Sequence, residues 1–127
     1  MNYFILLTIS ILGSASLAAN DHTANFCSDK NAKVCGHIGH MKGMKAKGES
    51  EFMVDILVAD SVANFKVDLW MPEHGHGTTP VTVNPPKANK FQIKKALFTM
   101  AGKWIARVSF DIDKVNHKIE IPLAVSE

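Results

Sequence analysis

The amino-acid sequence predicts an all-β protein, an antiparallel sandwich or barrel. Apolar residues recur with period two in separate short stretches, the pattern of strands with one buried face. Clusters of Pro, Gly, Asn and Asp divide those stretches at near-regular intervals. No stretch carries a convincing amphipathic helical pattern.

The first element is a leader. Phe4 to Leu12 is a short apolar run, followed by Gly13-Ser14-Ala15-Ser16-Leu17-Ala18-Ala19, and Ser16 and Ala18 fit the small-x-small pattern of a signal-peptidase site. The expectation is a signal peptide over 1–18, cut after Ala18 or alternatively after Ala19, and a periplasmic or secreted protein without a membrane span after cleavage. No Lys or Arg precedes the apolar run, and no Cys stands at the cut to take a lipid. The mature chain would then keep roughly 108 residues, the size of one domain.

From 19 to 50 the chain is polar and glycine-punctuated, so an irregular N-terminal segment is expected before a sandwich domain over 51–127. Cys27 and Cys35 lie close together in a chain bound for an oxidising compartment, which predicts a disulfide between them. Phe52, Val54, Ile56 and Val58 then alternate with Met53, Asp55 and Leu57 as a strand. Phe65, Val67, Leu69 and Met71 form a second, with Lys66, Asp68 and Trp70 on its other face, and the two can pair as a hairpin across Ala59 to Asn64. Pro72 through Pro86 excludes helix and leaves room for a short strand at Val81 to Val83. Phe91 to Thr99 reads as a strand whose alternation slips at Lys94-Lys95, the mark of a bulge or an edge. Ala101-Gly102 turns the chain into Trp104, Ala106, Val108, Phe110 and Ile112. Asp113 to Asn116 is another turn, and Ile119, Ile121, Leu123 and Val125 make the last strand, kept at an edge by Pro122.

Charge narrows the function classes. The 14 basic and 12 acidic residues nearly balance, and no lysine run is interleaved with aromatics, so nucleic acid is not an expected partner. Nucleophile elbows, paired carboxylates, zinc-protease motifs and phosphate-cradling glycine loops are missing from the sequence, so no enzyme is expected.

The side chains that carry chemistry are His, Met and Cys, in two clusters. The first runs from Cys35 through His37, His40 and Met41 to Met44. The second is Met71-Pro72-Glu73-His74-Gly75-His76-Gly77, where a strand enters a turn. Imidazole and thioether suit copper, Met preferring Cu(I) and His accepting either oxidation state. His74 and His76 would project to one side if Gly75 were extended, Met71 could join them from the strand end, and Met100 could add a ligand from the Ala101-Gly102 turn. The plainer alternatives are that Met71 and Met100 fill core space, that the His-Gly-His run is a solvated turn, or that the loop docks a partner. In the first cluster a solvated loop is the stronger reading, since oxidised cysteines offer no thiolate. His22 and His117 read as isolated surface residues.

Leu69 to Gly77, followed by Phe98-Thr99-Met100-Ala101-Gly102-Lys103-Trp104, resembles the FixH and YtkA-like family of extracytoplasmic domains. Those domains carry a Met-Pro-x-Met-Gly-His type motif at one strand end and a Met-x-Gly-x-Trp motif before a late strand. The resemblance covers Glu51 to Asp111 and implies an immunoglobulin-like β-sandwich connected to copper handling or respiratory oxidase assembly. Met71, His76 and Met100 match the motif residues. His74 stands where the family often has methionine, an exchange that keeps a ligand and shifts preference toward Cu(II). FixH proper also has a membrane anchor, and the cysteine-containing segment lies outside the resemblance. Two functions are therefore expected: a binding protein holding a copper ion at Met71, His74, His76 and Met100, or a module whose Met71 to Gly77 loop docks an envelope or membrane protein without metal.

Overall fold

The computed structural model describes residues 24–127, so the leader expected at 1–18, its cleavage point and His22 lie outside the described residues. The described chain forms nine strands and no helix: β1 (Phe26–Cys27), β2 (Cys35–Lys42), β3 (Glu49–Ile56), β4 (Ala63–Met71), β5 (His76–Gly77), β6 (Thr82–Val83), β7 (Lys90–Leu97), β8 (Gly102–Ile112) and β9 (Val115–Val125). They make two antiparallel sheets, ordered β1-β2-β3-β7-β6 and β5-β4-β8-β9. That order, with the chain crossing between sheets after β3, β5 and β7, is the topology of an immunoglobulin-like sandwich.

Each long strand is apolar on one face for the reason its alternation gave. Phe52, Val54 and Ile56 of β3 face Leu69 and Met71 of β4 and Trp104, Ala106, Val108 and Phe110 of β8 across the interior, all nearly or wholly buried. Phe98 sits edge-on to Trp104 with ring centroids 5.2 Å apart, and Phe65 stacks on Phe91 at 3.8 Å. The slip at Lys94-Lys95 is a bulge: Ser50 pairs with Ala96 but Phe52 with Ile93, and Lys95 takes a φ of 56°. Asp113 and Lys114, at φ 48° and 65°, form the two-residue turn between β8 and β9, whose primed geometry matches strand twist. Pro122 lies exposed on β9, the outermost strand of its sheet, where a missing N–H costs no ladder bond.

Two expectations are corrected. The strands around Phe52 and Phe65 do not form a hairpin: β3 pairs with β2 and β7, while β4 pairs with β5 and β8 in the opposite sheet. Alternation fixes which face of a strand is buried, not which strand lies beside it, and the link between them is long enough to cross the roughly 10 Å between sheets. The segment 19–50 is also not irregular throughout, because β2 is a full strand of the larger sheet. Its inward positions include Gly36 as well as Ile38, so the alternation carries little apolar signal. The loops on either side of β2 do lack regular structure, and the expected disulfide joins Cys27 to Cys35 across β1 and β2.

The two long sides of the sandwich differ. On one, β2 ends in a bulge at His40 (φ 49°), and the chain then crosses to β9, where Lys45 bridges Ser126 and Ala46 N donates to Ser126 O at 2.8 Å. On the other, Phe65, Val67, Val81 and Val83 are only partly buried, at one end of a concavity of about 600 Å³ that runs over the outer face of the smaller sheet past Arg107 to Lys118.

Candidate functional site

The strand β4 ends where Pro72 follows Met71, since proline cannot donate to the ladder. The chain reverses tightly: the Met71 carbonyl accepts from Gly75 N at 2.9 Å and His74 N at 3.3 Å. Gly75 is not extended, as expected for histidines on one side of a strand, but left-handed at φ 60°, the conformation glycine adopts without steric cost. His76 then pairs directly with Met71, so its side chain shares the core-facing side of β4. The turn still brings the two histidines together, with ring centroids 5.9 Å apart at an interplanar angle of 36°. With metal–nitrogen bonds of about 2.0 Å, two imidazoles sharing one ion have centroids no more than about 6.5 Å apart, so this span can be bridged.

His76 is oriented from both ends. Its Nδ1 lies 3.3 Å from the Gly77 carbonyl oxygen, so the tautomer protonated there leaves the Nε2 lone pair free to bind a metal ion. A backbone carbonyl on the second nitrogen is the usual support of a metal-bound histidine. Its ring stands edge-on to Trp104, centroids 5.5 Å apart and planes at 74°.

Trp104 also fixes the second motif, because its Nε1–H donates to the Met100 carbonyl at 3.0 Å. One indole thus touches His76 on one side and holds the Met100 turn on the other. Met100 is half-buried, whereas Met71 is 1% exposed and packs inward. The methyl end of Met71 reaches the same turn: a Cβ on Gly102 would lie 2.9 Å from Met71 Cε, which explains glycine there. His74, His76 and the Met100 turn are therefore gathered at one end of the sandwich, with Met71 beneath them as a core residue. Sequence reasoning missed the part played by Trp104, although its inward position four residues after Met100 was a usable signal.

Glu73 is exposed on the turn, and among the described residues no group of three His, Cys, Asp or Glu side chains could hold a metal. Met100, half-buried on the turn that Trp104 holds, is the soft side chain available as a third ligand. Two imidazoles with a methionine suit copper and fall short of the closed four-ligand sets of structural zinc.

The first cluster is split by the bulge in β2. His37 lies opposite Asp55, its Nε2 3.6 Å from Asp55 Oδ2, while His40 lines a concavity with Met53 and Gln92 on the outer face of the larger sheet. Met41 and Met44 instead line a groove beside Ile38, Ile121 and Leu123. His117 is not a surface residue: it is 6% exposed, stacked on Phe110, with Nδ1 2.8 Å from Ser28 Oγ.

Beside the histidine turn, Pro72, Ile105, Pro122 and Ala124 line a mainly apolar concavity of about 570 Å³ on the outer face of the smaller sheet, with Glu73 and Lys103 at its rim. Trp70 lies on the outer face, with the Arg107 guanidinium 4.6 Å above its ring and Asp68 paired to that arginine. Among known proteins, no family model, curated protein or solved structure matches the chain.

Proposed function

We propose that this protein is an exported binding protein that holds one copper ion at the β4–β5 turn, through His74 and His76 with the Met100 thioether as third ligand. The observation that carries the reading is the pair of imidazoles 5.9 Å apart, one of them supported by a backbone carbonyl and backed by an indole that also holds the Met100 turn. Bound there, copper would take the soft thioether in its reduced state and rest on the imidazoles in either state. Protein residues supply the rest: Gly77 sets the His76 tautomer, Gly75 shapes the turn, and buried Trp104 excludes water from beneath it. Handling copper for the assembly of a respiratory oxidase is the physiological role that fits this site and the motif resemblance.

Titration with Cu(II), and with Cu(I) under reductant, beside H74A/H76A tests the reading. One equivalent bound, and lost in the double variant, is the expected result. Binding unchanged by the substitutions, or no tighter than that of free histidine, would overturn it. A second reading, a metal-free module docking an envelope protein through Met71 to Gly77, is favoured by the apolar concavity beside Pro72 and Ile105. It would gain if copper failed to bind.

A further inference from the structure

The Cys27–Cys35 disulfide lies outside the core. Cys27 is exposed and Cys35 half-buried, directly opposite one another on β1 and β2. The loop they close is fastened without the bridge. Ser28 N donates to Val34 O at 2.7 Å, Val34 N to Asn31 O at 3.0 Å and Lys33 N to Asn31 Oδ1 at 2.9 Å. Its base is tied to β9: Asp29 N donates to Lys118 O and Lys118 N to Asp29 Oδ1, both at 3.2 Å, beside the Ser28–His117 contact of 2.8 Å. An acceptor also awaits a thiol, since Cys35 Sγ lies 3.2 Å from the Ala32 carbonyl oxygen. His37 stands two residues beyond Cys35 on the same face of β2, opposite Asp55, and its Nδ1 is buried without a hydrogen-bond partner.

These features are those of a bridge that can open while the fold stays closed. An exposed disulfide is reached by an attacking thiolate, and one whose reduced form is stabilised gives up its bond more readily than a buried structural bridge. We propose that Cys27 and Cys35 are a redox-active pair that exchanges two electrons with a protein dithiol while this domain remains folded.

The partner's thiolate attacks the exposed Cys27 sulfur, breaking the S–S bond and forming a mixed disulfide. Cys35 leaves as the thiolate and takes a proton relayed through the His37 imidazole. The partner's second thiol, losing its proton, attacks the mixed disulfide and releases Cys27 as a thiolate, which is protonated by solvent. The partner leaves as a disulfide and this chain as a dithiol: two electrons have passed to this chain, and the two protons it takes up match the two that the partner's thiols release to solvent, one before the first attack and one during the second. Neither copper nor the histidine turn enters the step.

The test is equilibration of the oxidised protein with reduced and oxidised glutathione in native buffer, followed by alkylation and mass measurement. The expected result is complete, reversible conversion to the dithiol, with the near-ultraviolet circular dichroism of Trp104 retained. A bridge that yields only after denaturant is added, or a reduced protein that loses its tertiary signal, would overturn the proposal. C27S/C35S provides an independent check: a folded double variant supports the fastened loop, and an unfolded one refutes it. H37Q is expected to slow reduction without moving the equilibrium, and an unchanged rate would remove His37 from the step.

Discussion

Met71 and Met100 differ in where their sulfur atoms can go. Met71 is 1% exposed and wedged against Gly102, so its thioether serves packing, whereas Met100 is half-buried at the rim. Met71→Leu, close in volume, is expected to cost less than about 1.5 kcal/mol by thermal melting and to leave Cu(I) affinity intact. Met100→Leu should lower that affinity at least about tenfold with little change in stability, measured against a chromogenic Cu(I) chelator. Gly102→Ala would place a methyl group against Met71 Cε and is expected to lower the melting temperature. At the far end of the sandwich, Asp111 accepts from Asn64 Nδ2 at 2.8 Å and from Asn116 Nδ2 at 3.0 Å, which holds its carboxyl below the ordinary value of 3.8. A carboxylate depressed in the folded state stabilises above its unfolded pKa, and that contribution is lost as pH falls through the folded pKa. Asp111→Asn should therefore lower stability at neutral pH and flatten the acid limb of the stability profile, so that the variant and the parent converge below the folded pKa of Asp111.

At the scale of elements, the start of β8 and the β4–β5 turn are coupled through one ring. His76 stands edge-on to Trp104 at 5.5 Å, while Trp70 points to the outer face under Arg107. Trp104, not Trp70, is thus the optical reporter of the site, the reverse of what its alternation alone suggests for a core tryptophan. Copper quenching of fluorescence is expected to persist in Trp70→Phe. Its disappearance in that variant would place the ion on the outer face. The long strands β3, β4, β7, β8 and β9 were legible because each carries enough Val, Ile, Leu and Phe to display period two, whereas β5, the two residues His76–Gly77, carries no such signal and reads as part of a turn. The bulge at Lys94-Lys95 and the edge position of β9 were legible because lysine and proline mark them locally. β2 was hidden by the glycines at 36 and 39, and strand partners were hidden because pairing depends on residues far apart in sequence. The site was half legible: His-Gly-His and Met100 announced ligand chemistry, but the left-handed Gly75 and the indole joining the two motifs are tertiary facts.

Considered whole, the molecule is one sandwich whose two sheets share a continuous core, so thermal unfolding of the oxidised protein should follow a single transition, with fluorescence and far-ultraviolet signals coincident. Its two long sides were not closed in the same way. Where β2 leaves its sheet, the hydrogen bonds from Ala46 N to Ser126 O at 2.8 Å and from Ser126 N to Met44 O at 3.0 Å sew chain from one sheet to the other. Beside β5 and β6 nothing comparable joins the sheets among the described residues, and Phe65, Val67, Val81 and Val83 meet solvent. A book bound along one margin opens at the other. Thermal breathing of the sandwich should have its spine at Ser126 and its fore-edge at the short strand that bears His76, with amide exchange faster there than at Ala46. A ligand held by His74 and His76 would sit on that fore-edge, and would act as a clasp on the motion of the entire fold.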